Sequence, residues 1–275
     1  MSGKLYVVGT PIGNLGDFSP RAQETLANAD FIAAEDTRVT MKLLNHFDIH
    51  TPLVSYHDHN RVSCGEYVVK RILAGENCAL VSDAGMPAIS DPGEDLVRLC
   101  HERGVEVESV PGPTAMTTAL ALAGMNCGRF CFEGFLSVNR PSRREHLNEV
   151  KSERRTMVFY EAPHKLLSTL KDMLEVFGDR EAALVKEITK IHETVQRTTL
   201  SQAVEFYTVT PPKGEYVLIV AGAPEPEREE LTLEQAVKLA ESYISGGSPA
   251  SKAAKLAAAE SGLPRAEIYK AITQK

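Results

Sequence analysis

Four loops, each placed directly after a short apolar run, constrain this chain more than any other feature. They are Gly9-Thr10-Pro11-Ile12-Gly13-Asn14-Leu15-Gly16-Asp17, Glu35-Asp36-Thr37-Arg38, the long stretch from Ser82-Asp83-Ala84-Gly85-Met86-Pro87 through Ala88-Ile89-Ser90-Asp91-Pro92-Gly93, and Val110-Pro111-Gly112-Pro113-Thr114-Ala115. Three of the four are built from glycine and proline. Small residues let a backbone approach a ligand closely, and proline fixes a loop before the ligand arrives. Loops at the carboxyl ends of parallel strands are where open α/β sheets bind small molecules. A ligand-binding α/β enzyme is the first expectation.

The strand and helix pattern agrees. Strands are predicted at Leu5–Val8, Phe31–Ala34, Leu53–Ser55, Cys78–Val81 and Val105–Val110, with helices between them over Arg21–Ala29, Met41–Phe47, Tyr67–Leu73 and Glu94–Glu102. Near-continuous apolar strands alternating with helices imply a parallel sheet covered on both faces. After a helix over Ala115–Leu122 the pattern restarts. Strands are expected at Arg129–Phe135, Thr156–Tyr160, Ala182–Lys186 and Tyr216–Val220, and helices at Arg143–Val150, Lys165–Phe177 and Ser201–Tyr207. This divides the chain into an N-terminal α/β domain (1–115), a second α/β domain (116–222), a proline-acidic linker (223–230) and a helical region (231–275). The last holds three short helices, which read either as helix-turn-helix-like or as an ordinary small bundle.

Composition narrows the class. Of 275 residues, 43% are hydrophobic and 24% charged, ordinary for a soluble globular protein. No apolar stretch approaches a membrane span, and the start lacks the apolar core of a signal peptide, so cytoplasm and no membrane partner are expected. The five cysteines are scattered and read as small buried hydrophobes, with no metal and no disulfide expected. A net charge of −7 argues against indiscriminate coating of nucleic acid. Locally the balance reverses around Arg140, Arg143 and Arg144, and again in the tail at Lys252 and Lys255. Each patch is either a solvated face or a contact for RNA backbone.

The first loop is not a dinucleotide fingerprint. Its glycines at 9, 13 and 16 give the wrong spacing, and Pro11 removes a backbone N–H that a Rossmann turn needs. No Gly-Lys-Ser/Thr follows to make a phosphate loop. In sequence and order, the four loops resemble the signature loops of the ribosomal RNA small subunit methyltransferase I family, within the tetrapyrrole methylase superfamily. Tyr160-Glu161-Ala162-Pro163-His164-Lys165 and Lys186-Glu187-Ile188-Thr189-Lys190 resemble the second half of that family. The resemblance runs from Lys4 to about Gly222, and the helical tail fits the family as well. It implies a two-domain tetrapyrrole methylase (class III methyltransferase) fold with a small C-terminal helical region, S-adenosylmethionine in the cleft between the α/β domains, and a homodimer. The family reaction is methylation of a ribose 2′-hydroxyl on a decoding-centre cytidine of 16S rRNA, with the 30S subunit as partner.

Given that cofactor, the residues take expected roles. Pro11, Ile12, Ser82, Asp83, Ala84, Gly85, Met86, Gly112, Thr114, Ala115, Tyr160, Glu161 and Ala221 are the expected cofactor contacts. Asp83 either accepts from the ligand ammonium or caps its own turn. The helix start at Thr114-Ala115 suits a carboxylate, and Thr114 is also a plain N-cap by residue type. Met86 and Ile89 are apolar walls or ordinary core. For the chemical step the candidates are Asp36, Arg38, Glu161 and Lys186. Glu-Asp-Thr-Arg is expected on the acceptor side, unless Asp36 and Arg38 simply pair across a surface turn. Two other readings stand beside this one: a tetrapyrrole or other small-molecule methylase, and a non-catalytic ribosome-binding factor.

Overall fold

The structure, a computed structural model, describes residues 2–225 and 231–274. The chain forms two compact units, Met1–Ala223 and Pro224–Lys275. Among the described residues no helix is long and apolar enough to cross a membrane.

The first unit holds two five-stranded sheets. In the first sheet, β1 (Lys4–Val8), β2 (Phe31–Ala34), β3 (Leu53–Ser55), β4 (Cys78–Val81) and β5 (Glu106–Val110) run in the order β3-β2-β4-β1-β5, every pair parallel. Helices α1 (Pro20–Asn28) and α2 (Thr37–His46) bury Leu26 and Leu44 on one face. On the other, α3 (Arg61–Leu73) and α4 (Glu94–Glu102) bury Ile72 and Leu96. Covered on both sides, the strands need no polar face, which explains the uninterrupted Phe-Ile-Ala-Ala and Cys-Ala-Leu-Val runs. Because all five strands point the same way, the loops that follow β1, β2, β4 and β5 emerge on one rim.

α5 (Ala115–Ala123) buries Ala119, Leu120 and Ala123 against the second sheet. That sheet is built from β6 (Phe130–Phe135), β7 (Thr156–Glu161), β8 (Glu181–Lys186), β9 (Thr194–Thr199) and β10 (Tyr216–Val220), in the order β6-β7-β10-β8-β9. Only β6 and β7 are parallel; β10 runs against both β7 and β8, and β9 against β8. The helices here are α6 (Arg140–Glu149), α7 (Pro163–Phe177) and α8 (Leu200–Val209). α7 and α8 supply Leu166, Leu170, Met173 and Ala203 to the core on the face opposite α5.

Three helices begin several residues earlier than their apolar patterns suggest. α3 starts at Arg61 instead of Tyr67. α2 starts at Thr37 because the Asp36 side chain caps it, accepting the Arg38 backbone N–H. α6 starts at Arg140 because Asn139 caps it and Pro141 fits its first turn. β9 has no counterpart among the expected elements.

In the second unit, α9 (Leu233–Ser245) opens with a capping box between Thr232 and Gln235. α10 (Ala250–Ser261) ends on the left-handed Gly262, and α11 (Arg265–Thr273) follows. The three helices close on a small core of Ala236, Ala240, Ala254, Ala257 and Ile268. Residues 226–230 of the expected linker lie outside the described residues.

Candidate active site

The rim loops of the first sheet interlock. Thr10 and Gly85 exchange two backbone hydrogen bonds, at 2.9 and 3.1 Å, and the Gly9 N–H donates to Val110 at 3.0 Å. A Cβ on Gly9 would stand 2.7 Å from the Gly112 backbone and from the Met86 sulfur, and one on Gly112 would stand 2.9 Å from Gly9. Three loops distant in sequence therefore meet at two positions that only glycine can occupy. Met86 packs here as a structural wall.

Asp83 joins this cluster to the Glu-Asp-Thr-Arg loop. Its Oδ1 accepts the Asp36 N–H at 3.0 Å, and its own N–H donates to Glu35 Oε2 at 3.4 Å. It is exposed and caps a neighbouring loop rather than its own. Burial raises the pKa of Glu35, with the Asp83 and Asp91 charges adding to it, and burial raises Asp83 as well. Asp36 goes the other way. The Arg38 guanidinium grips its carboxylate through Nε at 3.0 Å and Nη2 at 2.6 Å, lowering its pKa to about 2. The surface pairing of Asp36 with Arg38 is thus present, with the Arg38 side chain 88% exposed beyond it.

Thr114 occupies the N-cap position of α5, yet its hydroxyl makes no capping bond and meets the Thr117 hydroxyl instead. From the second sheet, the Tyr160 hydroxyl accepts the Met116 N–H at 3.1 Å, and its ring packs edge-on against Phe132 and Phe135. Lys186 ends β8, half-exposed, beside Glu187. The loop beyond it crosses to the first sheet's rim: Thr189 Oγ1 donates to Asp17 Oδ2 at 2.6 Å, and the Lys190 stem lies against Gly13. Glu187 and Thr189 both take positive φ there, a strained conformation for residues with a Cβ, as found where a loop is held for function. Between this loop and the rim is a cavity of about 630 Å³, in the size range of small-molecule sites. Ile12, Gly112, Pro113, Ile188 and Thr189 line it.

Three expectations are corrected. Ala221 is not beside Tyr160. β10 pairs Tyr216 with Glu161 at one end and Val220 with Met157 at the other, so Ala221, bonded to Glu181, sits at the opposite edge of the sheet. Glu161 does not face the cleft. It is 2% exposed, one oxygen held by the Lys165 ammonium at 2.9 Å and the Ala162 N–H, the other by the Thr169 hydroxyl. Arg143 is buried as well, with Asp172 at 2.7 Å, and is no surface cation. Arg140 and Arg144 border the same Asp172 and Glu175 from outside.

One residue that the sequence does not flag belongs with the site. Asp91 is half-buried, in a loop where Ala88 and Ser90 take positive φ and Ser90 approaches Gly134 of the second sheet. Burial pushes its carboxyl up to about 6, against the Ser82 hydroxyl and with help from the Asp83 charge. The paired positive φ values appear only in the folded chain.

A protein-family model described as Tetrapyrrole (Corrin/Porphyrin) Methylases matches residues 4–204. The chain is 47% identical over 268 residues to Ribosomal RNA small subunit methyltransferase I of Synechocystis sp., covering 97% of this chain and 96% of that one. A relative of the same name from Thermotoga maritima is 46% identical over 220 residues, which are 99% of its own length and 80% of this chain. Among solved structures, Uroporphyrin-III C-methyl transferase from Thermus thermophilus, complexed with S-adenyl homocysteine, superposes with a TM-score of 0.56 at 19% identity. It covers 79% of this chain and 97% of that one, a likeness of fold.

Proposed function

The chain belongs to the tetrapyrrole methylases, among the ribosomal RNA small subunit methyltransferases I, and from this premise we propose that it methylates the ribose 2′-hydroxyl of a decoding-centre cytidine in 16S rRNA. S-adenosylmethionine supplies the methyl group as a sulfonium. The residues present fit that molecule: an exposed carboxylate on Asp83 for a cationic group, a helix start at Thr114-Ala115 without a side-chain cap for a carboxylate, and glycine-only packing behind them. Pro11, Ile12, Ser82, Ala84, Gly85, Met86, Gly112 and Tyr160 complete the proposed pocket.

The observation that carries the reading is the Asp83–Asp36 bond, which fixes the cofactor-type loops against the Glu-Asp-Thr-Arg loop. On the acceptor side Arg38 reaches outward to hold a phosphate, and Asp36, ionised at neutral pH, orients the ribose hydroxyl. Lys186 adds positive charge on the facing rim. Held in the proposed pocket, S-adenosylmethionine would supply its methyl carbon to the 2′-oxygen and leave as the neutral thioether, with the hydroxyl proton passing to solvent. Alignment of the reacting atoms supplies much of the rate. In the same reading the two sheets are the cores of two domains meeting near residue 115, the enzyme is a cytoplasmic homodimer, and Arg140, Arg144, Lys252 and Lys255 touch rRNA in the 30S subunit.

Incubation with 30S subunits and isotopically labelled S-adenosylmethionine, followed by mass mapping of 16S rRNA, tests the proposal. One labelled ribose on a decoding-centre cytidine is expected. Label on a base, or transfer to a porphyrinoid and not to subunits, overturns it.

A further inference from the structure

At the edge of the second sheet opposite Tyr160 lies a second cavity, of about 710 Å³, whose walls carry Arg129, Arg154, Arg155 and Arg197 against Glu153 and Glu181. Glu153 is already engaged by Arg155, through Nη2 at 2.7 Å and Nε at 2.9 Å. The side chains of Arg129 and Arg197 hold no hydrogen bond or ion pair among the described residues, and both residues are exposed. Arg197 projects from β9 with its guanidinium beside Gly124, at the end of α5. Arg129 and Arg197 thus bring to one hollow, in a chain of net charge −7, two guanidinium groups without a partner among the described residues.

We propose that this arginine-lined cavity binds a backbone phosphate of the RNA substrate, as a site separate from the methyl-transfer cleft. Guanidinium forks match phosphate oxygens in pairs and are weakly hydrated, which suits a partly enclosed hollow. The placement fits a strand of RNA that serves both sites. β7 begins at this cavity with Thr156 and ends at the cleft with Tyr160-Glu161. At about 3.3 Å per residue the two ends are roughly 17 Å apart, a span of a few nucleotides. The proposal rests on the reading of the chain as an rRNA methyltransferase and adds where the substrate is gripped away from the chemistry.

The test compares the wild type, an Arg129→Ala/Arg197→Ala double variant and an Arg129→Lys/Arg197→Lys variant for binding to 30S subunits across a salt series. Loss of two phosphate contacts should weaken subunit binding at least ~10-fold and flatten the salt dependence by about 0.7–0.9 per contact. The lysine variant should keep the slope, and S-adenosylmethionine affinity by calorimetry should be unchanged in both. Wild-type affinity and slope in the alanine variant overturn the proposal. So does weaker binding with an unchanged slope, which marks a protein-contacting face instead. If the wild type neither binds nor methylates subunits, the functional reading falls, and this proposal with it.

Discussion

The Asp83 carboxylate accepts the Asp36 backbone N–H at 3.0 Å, so one side chain from the loop after β4 holds the first turn of α2 in place. The loop proposed for the cofactor and the loop proposed for the acceptor are therefore joined through one residue. Asn can still accept that N–H but carries no charge. Asp83→Asn and Asp83→Ala should both bind S-adenosylmethionine at least ~10-fold more weakly by calorimetry, as for loss of a charged hydrogen bond. Only Asp83→Ala should also lower unfolding stability, by about 1 kcal/mol. Equal cofactor affinity in wild type and both variants would remove Asp83 from the pocket.

Arg38 offers a clean separation of structure from function. Its pair with Asp36 is exposed, and such pairs contribute at most about 1 kcal/mol. Arg38→Ala should thus leave the thermal midpoint and cofactor affinity close to wild type. Single-turnover methyl transfer to 30S subunits, with cofactor saturating, should fall ~10²-fold or more. Near-normal turnover would remove Arg38 from the acceptor side and leave Asp36 and Lys186 as the candidates.

Asp91 should leave a signature in the pH dependence of stability. Its folded pKa, about 6, lies above the ordinary carboxyl value of 3.8. Between those values the folded protein holds a proton that the unfolded chain has released, so this group makes stability fall as pH rises from about 4 to about 6. Asp91→Asn removes the titration. In denaturant melts the stability of the variant relative to wild type should grow across that window and level off above it. A difference that stays flat from pH 4 to 7 would place the Asp91 carboxylate in water.

What the sequence reveals follows from which interactions are local. The first sheet is legible because its strands are apolar throughout and its loops are punctuated by glycine and proline, and parallel strands leave no choice of rim. The second sheet is less so. Ala221 is misplaced because nothing in Tyr216–Val220 says which way the strand runs; that is set by its pairing with β7 and β8. β9 is an edge strand, largely exposed and rich in threonine, without the apolar run that betrays a buried one. The burial of Glu161 depends on Lys165 and Thr169 one and two turns into the next helix, and that of Arg143 on Asp172 twenty-nine residues away. Charged residues read as solvated until a partner folds over them.

The helical tail should be separable from catalysis. The first compact unit ends at Ala223, and the Thermotoga maritima relative matches this chain over 220 residues that make up nearly its whole length. The Lys252 and Lys255 ammonium groups hold no hydrogen bond or ion pair among the described residues, which leaves both for phosphate. A protein ending at Ala223 should keep a cooperative unfolding transition and bind S-adenosylmethionine within ~2-fold of the full chain. Its affinity for 30S subunits should fall ~10-fold or more, with a shallower salt slope by roughly one for each lost contact. Lys252→Ala/Lys255→Ala in the full chain should reproduce part of that loss without touching the fold. If the truncated and full-length proteins bind subunits equally at every salt concentration, the tail contributes nothing to recognition, and the arginines of the first unit must carry the contact with RNA.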